Sequence, residues 1–149
     1  MSTLIADPQF KLYAICSVVL SFLMLALGFI TASRRAKHKG YMNPEDTVVA
    51  AKDATLVAGV EHPDVARAIR AHRNLLESLP IFFALGLLCV IVGIAPLGAK
   101  ICFGVFTGGR VLHAIVYIKG LQPWRTMFFA FASLALVAMM VQIVIAVVA

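Results

Sequence analysis

The chain has 149 residues, of which 62% are hydrophobic, with a mean hydropathy of +0.96 and a formal charge of +6. Soluble domains are only about half apolar, so this composition excludes an ordinary soluble domain and indicates a polytopic membrane protein folded as one domain over residues 1–149. The basic residues flank or enter apolar runs instead of forming a solvated patch, which excludes a nucleic-acid partner.

Four segments have the roughly 20 apolar residues that cross about 30 Å of hydrocarbon. Backbone groups in lipid must pair within their own segment, so all four are read as helices. The first covers about 10–33. Its apolar run is longer than a signal-peptide core and the basic run follows it, so it is read as a retained span. The connection 34–61 opens with RRAKHK and contains NPED at Asn43 to Asp46, a turn or helix start. It is expected to be a loop with at most a short helix. The second helix is expected over about 64–94. Pro63 suits its first turn, Asp64 the positive end of its dipole, and Pro80 removes one backbone bond inside it. Pro96 and Gly98 separate it from a third helix at about 98–118. Gly120 and Pro123 then introduce a fourth at about 124–148. Of 13 Lys and Arg residues, only Lys11 and Lys100 fall opposite the two basic connections. The positive-inside rule therefore puts those connections in the cytoplasm and both termini across the membrane.

Two polar faces enter these apolar segments. Arg70, Arg73, Asn74 and Glu77 stand at i, i+3, i+4 and i+7, so a helix gathers them on one side. Arg110, His113 and Tyr117 repeat the i, i+3, i+7 spacing on the third helix. Ionisable groups at membrane depth face a protein interior or a cavity. Arg110 lies nine residues before Lys119, about 13 Å along the axis at 1.5 Å per residue, too far to reach the interface. The sequence therefore predicts a buried Arg110–Glu77 pair. One Glu leaves Arg70, Arg73 and Arg125 uncompensated at the same end, with Arg35 near them. This excess calls for an anion, and the forked donors of arginine suit carboxylates and phosphates. His72 faces elsewhere and is read as structural. Cys16, Cys89 and Cys102 lie in apolar runs with no metal-ligand spacing, and are read as small buried hydrophobes. No Ser–His–Asp, Walker, Rossmann or zinc pattern is present, and no metal is expected. Gly104 and Gly108 form a GxxxG pair, and Ala132, Ala135 and Ala138 a small-residue row, both suited to close helix packing.

HPDVARAIRAHRNLLESLP at His62 to Pro80, NPED at Asn43 to Asp46 and GRVLHAIVYIKGLQPWRT at Gly109 to Thr126 together resemble the MAPEG family, the membrane-associated proteins of eicosanoid and glutathione metabolism. RAHRN followed by Glu77 resembles its microsomal prostaglandin E synthase and glutathione transferase branch, and the likeness covers nearly the whole chain. It implies an all-α integral membrane protein, a four-transmembrane-helix bundle assembling as a homotrimer, with glutathione bound between subunits near the cytoplasmic side. By position it implies that Arg35, Arg73, Asn74, Glu77, His113, Tyr117 and Arg125 bind glutathione, and the charge excess on the same faces adds Arg70 and Arg110 to the candidate binding residues. Arg125 and Thr126 would act on the thiol, with Asp46 assisting. Three positions depart from the branch: Thr126 replaces a Ser, Phe129 a Tyr and Leu75 an Asp.

The implied activity is a glutathione-dependent membrane transferase, with peroxidase or isomerase activity as variants, that directs the glutathione thiolate at lipophilic electrophiles entering from the bilayer. The charges agree with this, since glutathione carries two carboxylates and one ammonium. The alternative is a non-catalytic lipid- or ligand-binding scaffold of the same fold, which would leave the bound thiol unactivated. A transporter is disfavoured because no inverted repeat is present and the polar residues stop near mid-membrane.

Overall fold

A computed structural model describes residues 2–50, 53–57 and 59–149. The elements are α1 (Ser2–Ala6), α2 (Pro8–His38), β1 (Gly40–Tyr41), α3 (Pro44–Val49), β2 (Thr55–Leu56), α4 (Pro63–Val92), α5 (Pro96–Lys119) and α6 (Trp124–Val148). Helices α2, α4, α5 and α6 are each long and apolar enough to cross a membrane, and they form an all-α, multi-pass bundle.

Local chemistry sets the helix ends. Asp7 caps α2 by accepting from the Gln9 backbone N–H at 2.8 Å, and Pro8 supplies the first turn. The expected end of this helix at residue 33 is five residues short. Arg34, Arg35, Lys37 and His38 remain helical, because cations suit the negative end of a helix dipole. Gly93 and Gly120 end α4 and α5 in the left-handed conformation, at φ 72° and 73°. Helix α4 continues through Pro80.

The connection 34–61 contains the short helix α3 as expected. It also holds a two-residue parallel strand pair the sequence did not suggest, with Gly40 opposite Thr55 and Tyr41 opposite Leu56. Residues 51, 52 and 58 of this connection lie outside the described residues. Lys39 pairs with Asp53 across it, and that hydrogen bond holds the Asp53 carboxyl below its ordinary range. Arg34 Nη1 donates to the Asp64 carbonyl at 2.7 Å, and Arg35 meets the Glu61 carboxylate at 2.6 Å. The end of α2 is thus tied to the start of α4.

The core lies where α2 and α6 pack on the α4–α5 pair. Leu20, Leu27, Leu75, Phe82, Phe103, Phe106 and Met139 are fully buried there. Phe82 and Phe106 stack at 4.5 Å, and the Tyr13 hydroxyl donates to the Phe83 carbonyl at 2.9 Å. The close approach of α5 to α6 occurs at Gly109, where a Cβ would lie 3.3 Å from both the Ala132 Cβ and the Phe128 carbonyl. Gly104 and Gly108 are exposed with nothing within 4 Å of an added Cβ, so the GxxxG pair does not serve packing within the bundle. Ala132 and Ala135 are buried, as the small-residue row predicts.

Candidate functional site

Three helices converge toward the end of the bundle that carries the basic connections. Asn74 comes from α4. Arg110, His113 and Tyr117 come from one face of α5, and Arg125, Thr126 and Phe129 from the first turns of α6. Together they line a cleft with two lobes. The lobe nearer the basic end, about 250 Å³, is lined by Asn74, His113, Tyr117, Arg125, Thr126 and Phe129. The deeper lobe, about 210 Å³, adds Glu77, Ser78 and Arg110 to a wall of Ile81, Phe106, Ala132 and Leu136. Asn74 and Phe129 belong to both.

The polar groups are held in place by one another. The Arg125 guanidinium lies 4.8 Å from the centroid of the Tyr117 ring, a cation–π contact between α6 and α5. His113 meets Tyr117 edge-on at 5.4 Å and Phe129 at 5.9 Å. Gln122 was not anticipated from sequence. With its amide oriented by the surrounding donors, its oxygen accepts from Arg125 Nε at 3.0 Å and Nη2 at 2.6 Å, and its nitrogen donates to Thr126 Oγ1 at 3.3 Å. The available signal was position: Gln122 precedes Arg125 by three residues and Thr126 by four, the reach of a helical first turn.

Arg110 is only 1% exposed although it is a cation inside an apolar helix. Its Nη2 donates to both the backbone carbonyl and Oδ1 of Asn74, the latter at 3.0 Å, and its Nε is buried with no partner. The expected Arg110–Glu77 pair is not formed. The Arg110 side chain crosses to α4 at Asn74, three residues before Glu77. Glu77 instead faces Arg73 at 3.3 Å on the outer side of α4, the ordinary i,i+4 arrangement.

A family model, the MAPEG family, matches residues 13–145. The chain belongs to the MAPEG family. Prostaglandin E synthase of Equus caballus is 33% identical over 142 residues, 95% of this chain and 91% of that protein. The Homo sapiens prostaglandin E synthase is 33% identical over 147 residues, 95% and 92% of the two chains. Microsomal glutathione S-transferase 1 of Homo sapiens is 34% identical over 125 residues, 83% and 81%.

Within this MAPEG protein the fold brings together Asn74, Arg110, His113, Tyr117, Arg125 and Thr126, with Glu77 at the rim. Arg73 and Glu77 have side chains 79% and 61% exposed, and Arg70 is exposed one turn earlier on α4. Arg35 and Asp46 do not line the cleft of their own chain. Arg35 is engaged by Glu61, and Asp46, in α3, accepts from Asn43 Nδ2 at 3.1 Å.

Proposed function

We propose that this chain is a glutathione-dependent membrane transferase acting on lipophilic electrophiles, with related peroxidase or isomerase chemistry open to the same site. The observation that carries this reading is the Arg125 guanidinium, held by Gln122 and by the Tyr117 ring at the mouth of the cleft beside the Thr126 hydroxyl. A fixed cation beside a hydroxyl donor favours a thiolate over a thiol.

The donor set fits glutathione. Arg110 keeps a buried Nε without a partner, and Arg73, 79% exposed, meets the Glu77 carboxylate at 3.3 Å and keeps its remaining donors open. Arginine forks suit the two carboxylates of the tripeptide, and Glu77 suits its ammonium. Asn74, His113 and Tyr117 supply neutral hydrogen-bonding groups between them. When bound, glutathione supplies a nucleophilic sulfur. Arg125 would stabilise its charge, Thr126 would donate to it, and the apolar wall of the deeper lobe would exclude water and admit an electrophile from the bilayer.

The active assembly in this reading is a homotrimer. Each lobe is smaller than the roughly 300–1,000 Å³ of an ordinary ligand pocket, and Arg73 and Glu77 lie exposed where α4 passes from its polar first half into its apolar stretch, a depth at which charges need protein cover. A neighbouring subunit supplies that cover. It is also the route by which Arg35 and Asp46, outside the cleft of their own chain, contribute to a site. The basic connections and the cleft mouth face the cytoplasm, in line with the charge distribution.

The test is a conjugation assay of purified protein with glutathione and a panel of apolar electrophiles, read beside the ultraviolet absorbance of the bound thiolate. Turnover together with a thiolate signal near neutral pH is the expected result. Glutathione binding with neither turnover nor thiolate would identify a ligand-binding scaffold instead.

A further inference from the structure

A cluster of nitrogen and oxygen donors outside the cleft lining lies where the end of α2 meets the start of α4. His38 is the last residue of α2, His62 caps α4, and Asp64 lies in its first turn. Donor atoms of the three side chains all lie within 4.8 Å of one another. The two imidazole rings are stacked at 3.5 Å with 16° between their planes. His38 Nε2 is buried and has no hydrogen-bond partner. It lies 3.5 Å from Asp64 Oδ2, and His62 Nδ1 lies 4.0 Å from the same oxygen.

We propose that His38, His62 and Asp64 form a binding site for a divalent transition metal of the zinc type. The His38–Asp64 distance favours a metal over a hydrogen bond, and the wider His62–Asp64 gap of 4.0 Å closes by a side-chain rotation as the ion is taken up. An N–H···O bond spans about 2.7–3.2 Å, shorter than the His38–Asp64 gap. A tetrahedral zinc ion with bonds of about 2.0–2.1 Å places its ligand atoms roughly 3.3 Å apart, close to that gap. Two imidazoles and a carboxylate are a borderline donor set that suits zinc better than calcium or magnesium. His62 Nδ1 accepts from the Asp64 backbone N–H at 3.3 Å, a long bond that the exposed ring gives up as it turns out of the stack to take a metal.

The framework around the cluster is already fixed. Arg34 holds the Asp64 carbonyl and Arg35 holds Glu61, so both helix ends are in place before a metal arrives. His38 and His62 also line a cavity of about 260 Å³ with Glu61, which leaves space for a water as fourth ligand. A metal here would staple the basic connection by joining residues 24 positions apart in sequence. That separation matches no short ligand motif.

The proposal is independent of the glutathione reading and is tested without activity. Tag-free protein in detergent is stripped with chelator and titrated with zinc by calorimetry, and with cobalt by visible absorption. One saturable equivalent per chain is expected, with a higher melting temperature in zinc. Binding and the melting shift should both disappear in His38→Ala and in His62→Gln, and persist in His72→Ala. Gln at position 62 retains an acceptor for the α4 cap, and Asp64→Asn is a near-isosteric third variant should either fold poorly. No saturable binding, or binding that survives the loss of both histidines, overturns the proposal.

Discussion

Arg110 is anchored to Asn74 twice, through the backbone carbonyl and through the side-chain oxygen, and this makes α5 and α4 one unit at the depth of the cleft. A hydrogen bond to a buried charge contributes about 1.5–3 kcal/mol. In a double-mutant cycle, Asn74→Ala and Arg110→Met should therefore be coupled by about 1.5 kcal/mol or more. The cycle of Glu77→Gln with Arg110→Met should be additive within about 0.5 kcal/mol. Denaturation in detergent reads both, and strong coupling of Glu77 to Arg110 would restore the pair expected from sequence.

Arg125→Leu should lower turnover by ~100-fold, the scale for removing one electrostatic stabiliser, with a modest change in KM for glutathione. Arg73→Leu should mainly raise KM. The bound-thiolate absorbance separates the two: it should vanish in the first variant and remain, at saturating glutathione, in the second. A normal thiolate signal in Arg125→Leu would remove Arg125 from the chemistry.

Phe129→Tyr adds a hydroxyl to a ring that lines both lobes and whose centroid lies 6.0 Å from the Arg110 guanidinium and 5.9 Å from the His113 ring. One added hydrogen bond contributes about 1 kcal/mol, so glutathione affinity should rise about fivefold. Calorimetry decides this, and unchanged affinity would place the tripeptide away from that ring.

Subunits lacking Arg35 and subunits lacking Arg125 should each be inactive alone and should regain activity when mixed before assembly, to about a quarter of the sites by random assortment in a closed ring. Absence of any regain would keep Arg35 out of a shared site.

Gly109→Val should destabilise the protein by about 1–3 kcal/mol, as overpacking does, because its Cβ meets Ala132 and the Phe128 carbonyl. Gly108→Ala, whose Cβ meets nothing within 4 Å, should instead stabilise a dissociated single chain by about 0.5–1 kcal/mol through helix propensity. Thermal melts compare the two directly.

The four spans were legible from sequence because hydropathy and length act along the chain without reference to partners, and Pro96, Gly120 and Pro123 punctuate them. The polar cleft was legible in part: helical spacing placed Arg110, His113 and Tyr117 on one face of α5, and the structure keeps them together. The partner of Arg110 was not legible. Asn74 and Glu77 lie three residues apart on neighbouring turns of α4, and charge complementarity favoured the Glu, whereas side-chain reach and a second acceptor on the backbone select the Asn. The Gly109 contact was missed for a related reason. GxxxG spacing marks a helix face, but which face meets α6 is fixed by the bundle, and α5 turns Gly104 and Gly108 outward.

Phe129 and Asn74 each form part of the wall of both lobes. A change at either position therefore alters both lobes together. Thr126 and Tyr117 border only the first, and Ile81 and Leu136 only the second. Under the proposed chemistry, a lineage can therefore broaden its range of greasy substrates by drifting at Ile81 and Leu136 while the tripeptide side stays intact. A substitution at position 74 or 129, such as the Phe that stands at 129 in place of the branch's Tyr, shifts both chambers at once.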